Sequence, residues 1–200
     1  MRFLISITYD GSNFNGFQRQ LKLRTVQGEI EKVLKNINRN KKVELVAAGR
    51  TDALVHAIGQ KAHFDLDINI EPYKLKYALN GNLPNDIHIN NVIEVASDFH
   101  ARYMVKEKIY EYIINIGEYN PLEKNYVYQY NQPLNIKLIK KSLKYLIGEH
   151  DFRAFASSED KRDNCIRTIY DIKVKQNKQK IMLKWSKYKL VILGRKEKSF

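Results

Sequence analysis

Cysteine is nearly missing from this chain. Cys165 is the only one in 200 residues, which excludes a disulfide framework and any zinc site built from several cysteines. Long apolar runs are missing too, and none approaches the roughly 18 residues of a membrane span. The glycines at 11 and 16 are not followed by Gly-Lys-Ser/Thr, so a phosphate-cradling loop for nucleoside triphosphates is not expected. The five histidines, at 56, 63, 88, 100 and 150, show no metal-ligand spacing, so no metal is expected. There is no low-complexity tract and no repeat at the level of sequence. The amino end, Met1-Arg2-Phe3-Leu4-Ile5-Ser6-Ile7, alternates like a strand and carries no signal-peptide core or cleavage site, which points to a reducing, cytoplasmic setting. Acidic residues are few, 22 against 35 basic ones, giving a net charge of +13 and a pI near 9.6.

A mass of 23.6 kDa and 44% hydrophobic residues suffice for one or two domains with a real core. The excess of cations attracts polyanions. A coding bias toward Lys, Asn, Ile and Tyr would produce the same composition, so charge alone leaves nucleic-acid binding and a merely solvated surface both open.

Periodicity orders the first half. Residues 2–9 read as a strand that ends at Asp10-Gly11-Ser12. Thr25 offers a helix cap before Val26, Ile30, Val33, Leu34 and Ile37, which recur at helical spacing to about Asn38. Strands are expected over 42–48, 59–67 and 88–96, with a helix over 71–80 whose Pro72 suits its first turn. The order β-α-β-β-α-β is the split pattern of a ferredoxin-like fold. A second round starts with a strand over 109–116. Asn135 then caps a helix whose Ile136, Ile139, Leu143, Leu146 and Ile147 share a face and which Gly148 ends. Strands over 168–175 and 180–185 follow, joined by a polar turn at Asn177-Lys178. The closing α-β of this round is missing; Ser186 to Phe200 holds only a short apolar patch, Leu190 to Leu193, and a basic tail. The expected fold is therefore α+β, with two ferredoxin-like halves, 1–104 and 105–200, forming one mixed, mostly antiparallel central sheet. Helices should pack on one face, and the second half should be incomplete at its carboxyl end. An unrelated α+β fold with regrouped elements remains the alternative.

Gly49-Arg50-Thr51-Asp52-Ala53-Leu54-Val55-His56-Ala57 lies where a strand meets a polar turn. An extended segment puts Arg50 and Asp52 on one face, and an adjacent guanidinium favours the ionised carboxylate that a nucleophile or base requires. Read locally, Asp52 could equally cap a helical turn over Ala53 to Ala57.

The stretch resembles the GRTDAGVHA signature of TruA-type tRNA pseudouridine synthases, with eight of nine positions matching. Upstream, Tyr9-Asp10-Gly11, Phe14, Gly16-Phe17-Gln18-Arg19-Gln20 and Arg24-Thr25-Val26-Gln27 resemble the same family. Downstream the likeness continues through Ala78-Leu79-Asn80, Leu83-Pro84-Asn85-Asp86-Ile87, Phe99-His100-Ala101-Arg102-Tyr103, Lys108-Ile109-Tyr110-Glu111-Tyr112, His150 to Phe155 and Arg167-Thr168-Ile169. The motifs keep their order over about residues 1–185.

The resemblance implies an isomerase that converts uridines of the tRNA anticodon arm, at tRNA positions 38–40, to pseudouridine. It implies no cofactor or metal, tRNA as partner, and a homodimer. It assigns Asp52 as the catalytic aspartate, Tyr110 as the aromatic that packs on the extruded base, and Arg50 as the arginine that pairs with the aspartate. A strand tyrosine and a surface charge are the plainer readings of the last two. Arg19, Lys22, Arg24 and Arg102 lie in segments that resemble RNA-facing loops, where they would hold phosphates. Two departures stand out. Leu54 replaces the family's glycine, a substitution costing about 1 kcal/mol or more if φ there is positive and nothing in an ordinary helical turn. The family's closing helix, with its Phe-Leu-Tyr…Met-Val-Arg type motif and active-site arginine, has no counterpart after Trp185. An RNA-binding remnant without catalysis is thus a second expectation. A general RNA-recognition domain is a third, weakened by the missing aromatic strand motif of such domains.

Overall fold

Alternation along Arg2–Tyr9 (β1) turns Phe3, Ile5, Ile7 and Tyr9 into a core, and the rest of the first unit is built onto that face. The computed structural model describes residues 1–155 and 164–187, and the chain divides into two compact units, Met1–Met104 and Val105–Phe200. The first unit runs β1, α1 (Val26–Ile37), β2 (Val46–Ala47), β3 (Ala57–Asp65), α2 (Pro72–Asn82) and β4 (Ile87–Val95). Its sheet has the order β2-β3-β1-β4, and every neighbouring pair is antiparallel. Phe64 and Ala62 stand opposite Phe3 and Ile5, while Ile87 and Ile89 stand opposite Tyr9 and Ile7, so these side chains share one face. Val26, Ile30, Val33 and Leu34 of α1 and Leu75 and Leu79 of α2 pack into the same core. Both helices thus cover one side of the sheet.

α1 starts where the Thr25 hydroxyl accepts from the Gly28 amide, as the sequence suggested. Pro72 occupies the first turn of α2, also as expected, but Glu71 before it makes no side-chain cap. The strand expected over 42–48 shrinks to two residues, and the cause is a buried side chain. The carboxylate of Glu31, on α1, accepts from the Leu45 amide at 3.0 Å, and the Gln27 amide donates to the Leu45 carbonyl at 3.2 Å. Helix side chains thereby take the hydrogen bonds a ladder would have used.

The second unit runs β5 (Lys108–Asn115), β6 (Tyr128–Gln129), α3 (Ile136–Leu143), β7 (Gly148–Asp151), β8 (Ile166–Asn177) and β9 (Lys180–Lys187). Its sheet has the order β6-β5-β9-β8-β7, with β5–β6 parallel and the other pairs antiparallel. The class is α+β with one antiparallel and one mixed sheet. Among the described residues the strands pair into two sheets, one in each unit. The turn between β8 and β9 is the two residues Lys178 and Gln179, with Lys178 in the left-handed region at φ +51°.

Two elements here escaped the periodicity. β6 is only two residues long. β7 begins at Gly148, which was expected to end a helix; instead α3 stops at Leu143, a single 3-10 turn follows over Lys144–Leu146, and Gly148, at φ +107°, lets the chain turn into β7. Ile136, Ile139, Leu143 and Leu146 are half-buried as a common face requires, whereas Ile147 is exposed. The apolar patch at Leu190 to Leu193 and the basic tail lie outside the described residues.

Candidate active site

Residues 48–56 connect β2 to β3, and a second segment, residues 10–25 between β1 and α1, lies against them. The entry is held by the Ala48 amide on the Lys61 carbonyl at 2.8 Å and by the Gln60 side-chain amide on the Gly49 carbonyl. Phe17 N donates to Thr51 O at 3.0 Å, and Leu54 N donates to Phe14 O at 3.3 Å. The phenol of Tyr9, buried in the core, shares a hydrogen bond of 2.7 Å with the Thr51 hydroxyl. Burial raises the pKa of that phenol, which keeps it a neutral hydroxyl. At the exit, His56 Nδ1 accepts from the Gly11 amide at 3.1 Å and lies 3.1 Å from the Asp10 carboxylate.

Two glycines make this approach feasible. Gly16 has φ +89°, and a Cβ on it would lie 3.0 Å from the Thr51 carbonyl oxygen. A Cβ on Gly11 would collide with the Val55 carbonyl. Only glycine allows the two backbones so close.

Asp52 is exposed at the crest of this braced turn, and among the described residues its side chain has no hydrogen bond or ion pair. The turn closes through Val55 N on Asp52 O at 3.3 Å. Leu54, its third residue, has φ +65°, the conformation for which such a turn calls for glycine. The departure noted in the sequence is therefore one of real strain, on the order of 1–2 kcal/mol. Leu54 is also 65% exposed, so packing recovers little of it.

The pairing expected of Arg50 with Asp52 is not formed. Both side chains are exposed, and among the described residues no ion pair joins them. In water such a pair gains too little to hold two mobile side chains together. The basic residues named from sequence divide by what they touch. Arg24 forks onto Asp86 with bonds of 2.7 and 2.9 Å and lies 4.1 Å from the Phe14 ring centroid, so its guanidinium braces the 10–25 segment. Arg19 donates to the buried Glu31 carboxylate at 2.7 Å. Lys22, in the left-handed region at φ +62°, and Arg102 are exposed.

Tyr110 belongs to the second unit. It stands opposite Trp185 in the β5–β9 pairing, and the two rings stack at 5.6 Å with planes 14° apart. The phenol side chain is 41% exposed. Of the residues that brace the turn, Tyr9, Phe17 and Thr51, like the ring partner Trp185, have no role legible in the sequence. The glycines at 11 and 16 were the available signal, because they mark where one backbone must pass close to another. Among the described residues no group of His, Cys, Asp or Glu is placed to hold a metal ion, and no helix is long and apolar enough to cross a membrane.

Comparison with known proteins follows the same residues. The family pattern described as tRNA pseudouridine synthase matches residues 5–104 and 143–192. The match reaches past Trp185, where the sequence reading had the likeness stop. A protein called tRNA pseudouridine synthase A from Anoxybacillus flavithermus is 42% identical over 183 residues, covering 92% of this chain and 74% of the relative. Proteins of that name from Streptococcus agalactiae and Pseudothermotoga lettingae are 45% and 44% identical, covering 91% of this chain and 71% and 74% of their own lengths. With the signature turn folded around an exposed Asp52 and this identity along the chain, the protein belongs to the tRNA pseudouridine synthase family and is an isomerase of tRNA uridines.

Proposed function

We propose that the chain converts uridines of the tRNA anticodon arm, at tRNA positions 38–40, to pseudouridine, with Asp52 as the catalytic group. The observation that carries this reading is the placement of Asp52, an exposed carboxylate on a turn whose backbone is fixed by a second segment. The target uridine leaves the stack, since its glycosidic bond is out of reach inside one. The C1′–N1 bond breaks, the uracil turns over, and a C1′–C5 bond forms while the C5 hydrogen is lost and N1 gains a proton. Substrate and product have the same composition, so no outside reagent enters. A carboxylate suits the task because it can stabilise or attack the sugar carbon and move a proton.

Tyr110 packs its ring on the extruded uracil in this reading, and Arg50, free of an internal partner among the described residues, meets the RNA beside Asp52. Lys22 and Arg102 hold phosphates, with Arg19 and Arg24 contributing through what their internal pairs leave exposed. The first unit is the half that carries catalysis, both units derive from ferredoxin-like halves, and the enzyme works as a homodimer in the cytoplasm, where its substrate is. The strand order β2-β3-β1-β4 supports the fold assignment for the first unit.

The test is incubation with unmodified tRNA transcripts and mapping of each modified base. Pseudouridine at positions 38–40 is the expected product. Binding of tRNA with no pseudouridine under single-turnover conditions would instead identify a remnant that has lost catalysis. Light scattering at working concentration reads the dimer.

A further inference from the structure

Leu54 combines three properties that rarely meet in one residue. Its backbone is left-handed at φ +65°, its side chain is 65% exposed, and it lies two residues from the Asp52 carboxylate. Asp52, Val55 and Phe14 provide the backbone bonds that hold it so. A strained residue persists where something offsets the strain. Here the backbone bonds of the turn supply that offset, and what they leave is an apolar side chain that its own fold does not pack, beside the Asp52 carboxylate. Val55, next in sequence, is also exposed, and the two give the turn an apolar edge beside the reacting group. The apolar surface that RNA offers is the ring face of a base, uncovered when its neighbour leaves the stack.

We propose that Leu54 is a substrate-contacting residue that packs on the base next to the extruded uridine, filling part of the gap the uridine leaves. The inference rests on the reading of Asp52 as the catalytic group. Leucine rather than glycine at this position makes the enzyme depend on apolar contact with that neighbouring base.

Three variants test it. Leu54→Ala keeps the left-handed strain and loses the reach, Leu54→Gly loses both, and Leu54→Met keeps an apolar side chain of similar length. The tRNA Kd and KM are expected to rise about tenfold in the first two, the worth of roughly two buried methylenes, with kcat little changed. The methionine variant should stay near wild type. The glycine variant should melt at a higher temperature than wild type while binding more weakly, a combination that a purely structural role does not produce. Wild-type Kd and KM in both the alanine and glycine variants would overturn the proposal. A wild-type chain that makes no pseudouridine would sink the reading of Asp52 instead, and the Kd ratio of the alanine variant to wild type would then decide the role of Leu54.

Discussion

His63 is buried on β3, where its Nδ1 accepts from the Ala101 amide at 3.1 Å and its ring lies 4.9 Å from that of His100. Burial, reinforced by the Arg2 and His100 charges, lowers its pKa below the usual imidazole range. The unfolded chain therefore binds the extra proton first as pH falls below roughly 6.5. The stability that neutral His63 contributes is complete above that pH and is lost as pH drops through its lower folded value. The melting temperature should decline as pH falls below about 6.5, and His63→Gln should flatten that decline; equal slopes in the two proteins would contradict the assignment. At this scale Asp52 was legible because nine consecutive residues carry a signature. The braces of its turn were not, because Tyr9, Thr51 and His56 are separated in sequence and meet only once the backbones at Gly11 and Gly16 have closed. The strain at Leu54 was posed by the sequence as a question about φ, which only a folded turn could answer.

Among the elements, α1 does the most to hold the 10–25 segment. Glu31 accepts from Leu45 N, from the Gln27 amide at 2.8 Å and from Arg19 at 2.7 Å, tying α1 to the approach to β2 and to the segment beside the catalytic turn. Glu31→Ala leaves a buried amide and a guanidinium without their acceptor, and should destabilise the protein by about 1–3 kcal/mol. The denaturant midpoint should fall at constant m-value, with faster amide exchange at Leu45. An unchanged midpoint would show that the hub is incidental. Most elements could be read from period and caps, as the close agreement at β1 and α1 illustrates. The readings failed where a side chain replaced a ladder, at 42–48, and where a helix ended early, so that Gly148 opened a strand instead of closing a helix. Neither event leaves a periodic trace.

Over the whole molecule, the charge of +13 sets how the chain meets a polyanion. Affinity for tRNA should fall steeply with salt, each phosphate contact adding about 0.7–0.9 to the log–log slope. Lys22→Ala and Arg102→Ala should each lower that slope by about one, whereas Arg24→Ala, by releasing Asp86, should mainly reduce stability. A slope indifferent to Lys22 and Arg102 would move the RNA path elsewhere.

The central claim is that one exposed acid, Asp52, carries the isomerisation. Its most direct test is single-turnover conversion of unmodified tRNA by excess Asp52→Asn protein beside wild type. The account predicts a loss of at least about a thousandfold in rate, with tRNA affinity nearly unchanged. Conversion by the asparagine variant at close to the wild-type rate would contradict it.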